Sequence, residues 1–435
     1  MKDAFLVKGL GGKRTLEGTI RTNGAKNASL KLFAATLLFE GAVTLKRVPE
    51  IEDTNRMVEL LGALGAHVVH DAHGEYTITP GDSLGCELPQ DVSERFRSSI
   101  VVAGPLLGRM GRAVFYFPGG CVIGKRPIDF FVEGFEAMGT SVSVTPIAAK
   151  DGAPDAVKYL IEVPGGKLRG AEIFLRAPSV TATETFIMAA LLAEGETVIK
   201  NAAMEPEIVS LGEYLKSCGG DIEGVGTPTV RVRGGRLLLS GGRPYVTLPD
   251  RIEAGSYIIL AALAAKDVTI ADCNPAHLDA LLAVFKHAGV QFEKGADFVR
   301  VRASARPYRA FSIKTQGYPG FPTDLQALAA VFLTQAEGEG TVFETIFESR
   351  LAYLEDLKKM GAHIHSTENQ AFVNGPSPLK GGLLTSTDLR AGMAFLIAAI
   401  VATGESTIKN IYTIDRGYEK VEEKLRALGA SVERV

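Results

Sequence analysis

The strongest chemistry in this 435-residue chain sits in one glycine loop, where AVFYFPGGCVIGKRPIDFF brings together Cys121, Lys125 and Arg126. A thiol beside two cations loses its proton more readily than the free group, which titrates at about 8.5, so Cys121 is expected to be reactive. The stretch from Gly119 to Lys125 nearly spells the phosphate-loop pattern GxxxxGK[ST]. Arg126 stands where the Mg²⁺-holding Ser or Thr belongs and Pro127 follows at once, so a nucleoside triphosphatase is not expected. Cys86, Cys218 and Cys273 lie far apart, which indicates neither a disulfide frame nor a CxxC metal site. His67, His70 and His73 alternate faces on a strand, and His363 with His365 has no further ligand at metal spacing, so the histidines read as surface or packing residues.

A second set of polar residues recurs at a fixed offset. Fourteen residues before Gly41 stands Asn27, beside Lys26, and the same offset from Gly111, Gly195, Gly338 and Gly404 reaches Arg97, Thr181, Asp324 and Arg390. Alignment on Lys266 gives Ile252, between Arg251 and Glu253. Each position opens an otherwise apolar segment, so each is expected at a helix N-terminus, where free N–H groups and the dipole attract anions. Capping accounts for part of this: Thr323-x-x-Gln326 has the form of a capping box, and Asp324 or Asp388 in a first turn suits the dipole. The dipole disfavours cations there, however. Lys26, Arg97 and Arg390 therefore point to a pocket for a multiply anionic ligand.

The elements that must carry these residues repeat. The phrase L-x-x-x-G-x-x-[VI], or a near form of it, places its glycine at Gly65, Gly139, Gly219, Gly289, Gly361 and Gly429, intervals of 68 to 80 residues. Before each comes an Ala/Leu-rich run such as TFIMAALLAEG or MAFLIAAIVATG, apolar all round as a buried helix should be. A β-rich run follows, then an amphipathic helix: Met57, Leu60, Leu61 and Leu64 form one stripe, and Tyr418, Val421, Leu425 and Leu428 repeat it. The recurring glycine suits the left-handed position after a helix. The class is α/β, with helices packed inside and sheets covering them. Six units make two three-unit halves, with the crossing expected in GGRPYVTLPDRIE.

Composition sets the limits. With 46% apolar residues the chain can build sizeable cores, and 47 Lys+Arg against 50 Asp+Glu gives no basic excess for nucleic acid. The longest apolar run, Met393 to Ala402, is shorter than the roughly 20 residues of a membrane span, and the start shows no secretory leader. A cytoplasmic protein without membrane insertion is expected.

NGAKNASL, PGGCVIGKRPID, LPDRIEAG, GFPTDLQA, FESR, STDLRAG and IDRGYEKVEEKLRALGA, in order along essentially the whole chain, resemble the enolpyruvyl transferases, in the branch acting on UDP-N-acetylglucosamine. The resemblance implies a two-lobed inside-out α/β barrel of six βαβαββ units, with a first lobe over 23–248 and a second over 1–22 plus 249–435, closing around the site. It implies transfer of enolpyruvyl from phosphoenolpyruvate to the 3-hydroxyl of UDP-N-acetylglucosamine with release of phosphate, the first committed step of peptidoglycan synthesis. These two small molecules are the implied partners, and no metal or organic cofactor is needed. Lys26, Arg126 and Arg416 match residues that hold phosphoenolpyruvate, Asn27 touches both substrates, and Arg97 is a further substrate-binding arginine. Cys121 matches the proton donor of the loop. Arg126, Pro127, Ile128, Asp129 and Phe130 match the stretch around the uridine, and Ser179 and Val180 residues near the nucleotide phosphates. Asp324 matches the carboxylate at the attacking hydroxyl, the candidate base, and Ile346 backs the sugar, while Arg350, Asp388 and Arg390 match further active-site positions. Lys31, Thr181 and Phe130 depart from the usual proline, glycine and leucine. Two rival functions remain: transfer to shikimate 3-phosphate, against which the cysteine loop and RPIDF speak, and a non-catalytic UDP-sugar binder, which would have no use for an acid–base pair.

Overall fold

The Ala/Leu-rich runs fold as helices buried along almost their whole length: Lys26–Ala35, Val180–Ala190, Arg251–Ala264, Gln326–Leu333 and Leu389–Val401. In the last of these every residue is buried, so no solvent-facing stripe exists and no amphipathic period is needed. This computed structural model describes residues 3–71, 74–117, 128–147, 156–304 and 307–435. The amphipathic helices follow their stripes. Glu52–Ala63 buries Met57, Leu60 and Leu61, and Val421–Ala427 buries Val421 and Leu425. The six phrase glycines all take left-handed backbone, with φ between 88° and 102°, which is why a side chain is disfavoured there.

Six sheets occur among the described residues. In three, the strand after a buried helix runs parallel to the strand before it: Glu196–Lys200 with Glu172–Phe174, Ala336–Phe343 with Ser312–Lys314, and Glu405–Lys409 with Leu383–Thr385. In two others the parallel partner comes from far along the chain. Leu16–Arg21 pairs with Ala265–Ala271, and Tyr245–Val246 with Val43–Lys46. The sixth sheet joins Arg112–Tyr116, Ala156–Glu162 and Ser141–Ile147 antiparallel. A mixed α/β architecture results.

The chain divides into two compact units, one formed by residues 3–23 with Pro249–Val435, the other by the described residues between Gly24 and Leu248. Each has its own apolar core, one around Tyr257, Phe285, Phe332 and Phe395, the other around Phe33, Phe96, Phe135 and Phe186. In the first, the strand Ala4–Lys8 lies antiparallel between Glu405–Lys409 and Ser431–Arg434. The end of the early segment is tied down by buried Glu253, whose carboxylate accepts from the Asn23 backbone N–H (2.6 Å) and from Lys424 Nζ (2.6 Å).

Candidate active site

The offset residues all lie in first turns. Asn27, Thr181, Ile252 and Arg390 are each the second residue of a buried helix, Arg97 opens the 3₁₀ turn Arg97–Val102, and Asp324 lies in the 3₁₀ turn Thr323–Leu325 that leads into Gln326–Leu333.

In the unit that contains 249–435, three matched residues meet. The Asp324 carboxylate accepts from Arg350 Nη2 at 2.7 Å and from Arg390 Nη2 at 3.3 Å. Asp324 keeps a quarter of its side chain exposed, while the arginines are 4% and 8% exposed. Burial alone would push this carboxyl up, but the guanidiniums of Arg390 and Arg350 overcome that and hold it well below the usual carboxylate range. Arg390 also donates to the Tyr418 hydroxyl (3.3 Å), which shares a hydrogen bond with Ser256 (2.7 Å), so its fork is fixed from behind.

The capping-box expectation for Thr323 and Gln326 is overturned. Pro322 occupies the N-cap position. The Thr323 hydroxyl donates to Glu344 (2.7 Å) and accepts from Arg350 Nη1 (3.1 Å), and the Gln326 amide donates to the Arg350 carbonyl (3.3 Å) and accepts from the Tyr353 hydroxyl (2.9 Å). A residue pair spaced for reciprocal capping is spent instead on aligning Arg350. Asp388 does cap: its carboxylate accepts from the backbone N–H of Arg390 (2.8 Å) and Ala391 (3.2 Å). Its effect on Arg390 is thus through the helix start. Ile346 is 44% exposed, and its N–H donates to Glu344 (2.7 Å). Arg416 caps the C-terminal end of the turn Tyr412–Asp415. That turn is clamped by Arg434, which reaches both Asp415 oxygens at 2.8 Å and Glu422 at 2.9 Å.

In the other unit, Lys26 opens its helix with its ammonium 2.8 Å from the buried carboxylate of Asp53, a partner the sequence did not single out. Arg97 lies over the Phe117 ring at 5.7 Å. Ser179 is an N-cap, accepting from the Ala182 N–H (3.3 Å), and Val180 begins the helix it caps. Ile128 is the N-cap residue of Asp129–Ala137, and Phe130 stacks on Phe131 at 5.1 Å. Cys121, Arg126 and Pro127 lie outside the described residues. Of the departures, Lys31 pairs with buried Glu184 at 3.3 Å, and the Thr181 carbonyl accepts from the Thr185 hydroxyl. No cluster of three metal-ligating side chains occurs among the described residues, and no helix among them is long and apolar enough to cross a membrane.

What these pieces share is anion chemistry: buried arginines with fixed forks, capped helix starts, and one carboxylate kept ionised. Comparison with known proteins agrees. The sequence profile of the family EPSP synthase (3-phosphoshikimate 1-carboxyvinyltransferase) matches residues 10–425. A UDP-N-acetylglucosamine 1-carboxyvinyltransferase of Magnetococcus marinus is 42% identical over 433 residues, covering 100% of this chain and 99% of its own. Among solved structures, the enolpyruvyl transferase NikO from Streptomyces tendae aligns with a TM-score of 0.83 at 24% identity, over 100% of this chain and 99% of its own. EPSP synthase from Acinetobacter baumannii aligns at 0.73 and 20% identity, over 99% of each chain. The two structures speak for the fold, the curated relative for the lineage.

Proposed function

This chain belongs to the EPSP synthase family of enolpyruvyl transferases, and from that premise we propose the acceptor, the roles of the site residues and the finer architecture. The protein is a UDP-N-acetylglucosamine 1-carboxyvinyltransferase: it moves enolpyruvyl from phosphoenolpyruvate to the sugar 3-hydroxyl, releases phosphate and opens peptidoglycan synthesis. The full-length 42% identity to a protein of that name carries the acceptor assignment. The reaction is an addition followed by an elimination. Protonation of the phosphoenolpyruvate methylene carbon creates a cation-like centre, the sugar oxygen adds to it, and loss of phosphate with a proton restores the double bond.

Cys121 gives the proton to the methylene carbon, and Asp324 takes the hydroxyl proton. Lys26, Arg126 and Arg416 hold phosphoenolpyruvate, with Arg97, Arg350 and Arg390 adding positive charge and Asn27 bridging the substrates. Ser179 and Val180 present a helix start to the nucleotide phosphates, Pro127 to Phe130 border the uridine, and Ile346 backs the sugar. Asp388 serves by fixing the helix start that carries Arg390. Supporting this arrangement, Asp324 and Arg390, assigned to one reaction centre, are in contact 3.3 Å apart.

The six sheets support a further reading of the fold as six βαβαββ units in an inside-out barrel of two lobes. A cytoplasmic location follows from the reaction, whose substrates are cytoplasmic. Phosphate release with phosphoenolpyruvate and either UDP-N-acetylglucosamine or shikimate 3-phosphate tests the assignment. Release with the second acceptor alone would overturn it, and release with neither would favour a non-catalytic binder.

A further inference from the structure

Lys31 and Glu184 form an ion pair in the unit that contains Lys26, with 5% and 0% of their side chains exposed. Removing both charges from water is unfavourable, and apolar residues of similar size often do as well or better. Such a pair therefore calls for a role besides stability. Lys31 lies in the second turn of Lys26–Ala35, whose first turn carries Lys26 and Asn27. Glu184 lies in the second turn of Val180–Ala190, whose start carries Ser179 and Val180. Both Glu184 oxygens are buried without a well-formed hydrogen bond, so among the described residues the attraction of Lys31 alone ties this carboxylate to another helix.

We propose that Lys31 and Glu184 are positioning residues, whose buried ion pair sets the spacing between the two helix starts and thereby the fit of the nucleotide sugar. The proposal rests on the substrate assignment above. Glu205 and Glu207, at the start of Pro206–Ser217, add negative charge, and the Tyr245 hydroxyl bonds Ser210. Of the other elements against Val180–Ala190, Arg109 donates to the carbonyls of Leu37 and Phe39, Glu133 pairs with Arg176, and the strand pairs Lys200–Glu172 and Arg231–Glu196 are at the surface. Burial pushes the Glu184 carboxyl up to about 7, Lys31 opposing and the two glutamates adding to the rise. The pair is consequently ionic on the alkaline side and loses its attraction as Glu184 takes up a proton.

Steady-state kinetics from pH 6 to 9 on Lys31→Met, Lys31→Arg, Glu184→Gln and the double variant Lys31→Met/Glu184→Gln test this. Thermal melting and calorimetric titration with UDP-N-acetylglucosamine accompany them. In the wild type, KM for the nucleotide sugar should rise as the pH falls through about 7. Lys31→Met and Glu184→Gln should each raise that KM about tenfold with kcat within about threefold, and should abolish its pH dependence. Lys31→Arg should stay close to wild type. Glu184→Gln keeps the side-chain volume and serves where Lys31→Met does not fold. A folded Glu184→Gln or double variant with wild-type KM and an unchanged pH profile would reduce the pair to a structural feature. Failure of the substrate assignment would show separately, as no phosphate release by the wild type with this acceptor.

Discussion

A carboxylate gripped by two guanidiniums stays ionised across the working range but gives up its basicity, and Asp324 is such a carboxylate. For it to take the sugar proton, one of its arginines must be drawn toward substrate anion as the acceptor binds. Asp324→Asn removes the proposed base and leaves Arg350 and Arg390 without their counter-charge; turnover should fall by roughly 10²–10⁴, with a modest loss of sugar-nucleotide affinity. Its depressed pKa means that its ionised form, and the stability the pairing contributes, are present above the ordinary carboxylate range and lost only at lower pH. A pH profile of kcat/KM should accordingly show no acid limb from Asp324 at pH 4–6, and a limb there that Asp324→Asn removed would contradict the ion-paired picture. Glu184 has the opposite sign. Folded Glu184 holds its proton more tightly than the ordinary 4.5, so its contribution to stability is complete below that pH and is lost as the pH rises through about 7. Melting temperature should fall over that window, and less so in Glu184→Gln. Among the cysteines, Cys218 and Cys273 are buried, with burial pushing the Cys273 thiol up to about 11. An electrophilic epoxide carrying a phosphonate, such as fosfomycin, should thus label Cys121 rather than these, and peptide mapping of the treated protein decides it. Cys121→Asp should stay active and resist the epoxide, whereas Cys121→Ser should be largely inactive. Much of this chemistry was legible from residue types and offsets, since Lys26, Asp324 and Arg390 stand in recognisable phrases. Asp53, Glu184 and Glu344 were not, because their side-chain partners lie 27, 153 and 21 or more residues away and only the folded chain brings them together.

Two ways of fixing a helix start recur at the scale of the elements: a side-chain cap, as at Ser179, Asp250 and Asp388, and a cross-link from elsewhere, as at Lys26 and Asp324. The helix Leu389–Val401 adds a third demand, because Gly392 lets the turn Tyr412–Asp415 approach it closely. A Cβ built there would stand 2.5 Å from Ile414 Cγ1 and 2.5 Å from Ser386 Oγ. Gly392→Ala should push the turn that carries Arg416, costing about 1–3 kcal/mol in denaturant unfolding. KM for phosphoenolpyruvate should rise with it, and a variant destabilised without any change in that KM would mean Arg416 is held independently of the turn. The repeat made these elements readable: apolar runs marked buried helices, stripes at helical spacing marked the amphipathic ones, and phrase glycines marked their ends. What the pattern could not convey was the use of Thr323 and Gln326. A capping box and a pair of arginine-aligning side chains have the same spelling, and the choice between them is made by Glu344 and Tyr353, which belong to other elements.

On the scale of the whole molecule, two separate apolar cores mean two cooperative systems. Calorimetric unfolding should give a van't Hoff enthalpy below the calorimetric one, and a single transition with equal enthalpies would show the units melting as one. The pairing of Ala4–Lys8 between Glu405–Lys409 and Ser431–Arg434 also imposes an order in time. This strand precedes both its neighbours by roughly 400 residues of chain, and at roughly 5–20 residues per second it waits about 20–80 s for them. The residues between Gly24 and Leu248 can close their own core during that interval, with the nascent chain still growing. Until those two partners are made, the exposed strand offers unpaired edges to any neighbour on the same message, so the passage most open to chaperones and to misassembly is the waiting time of five residues.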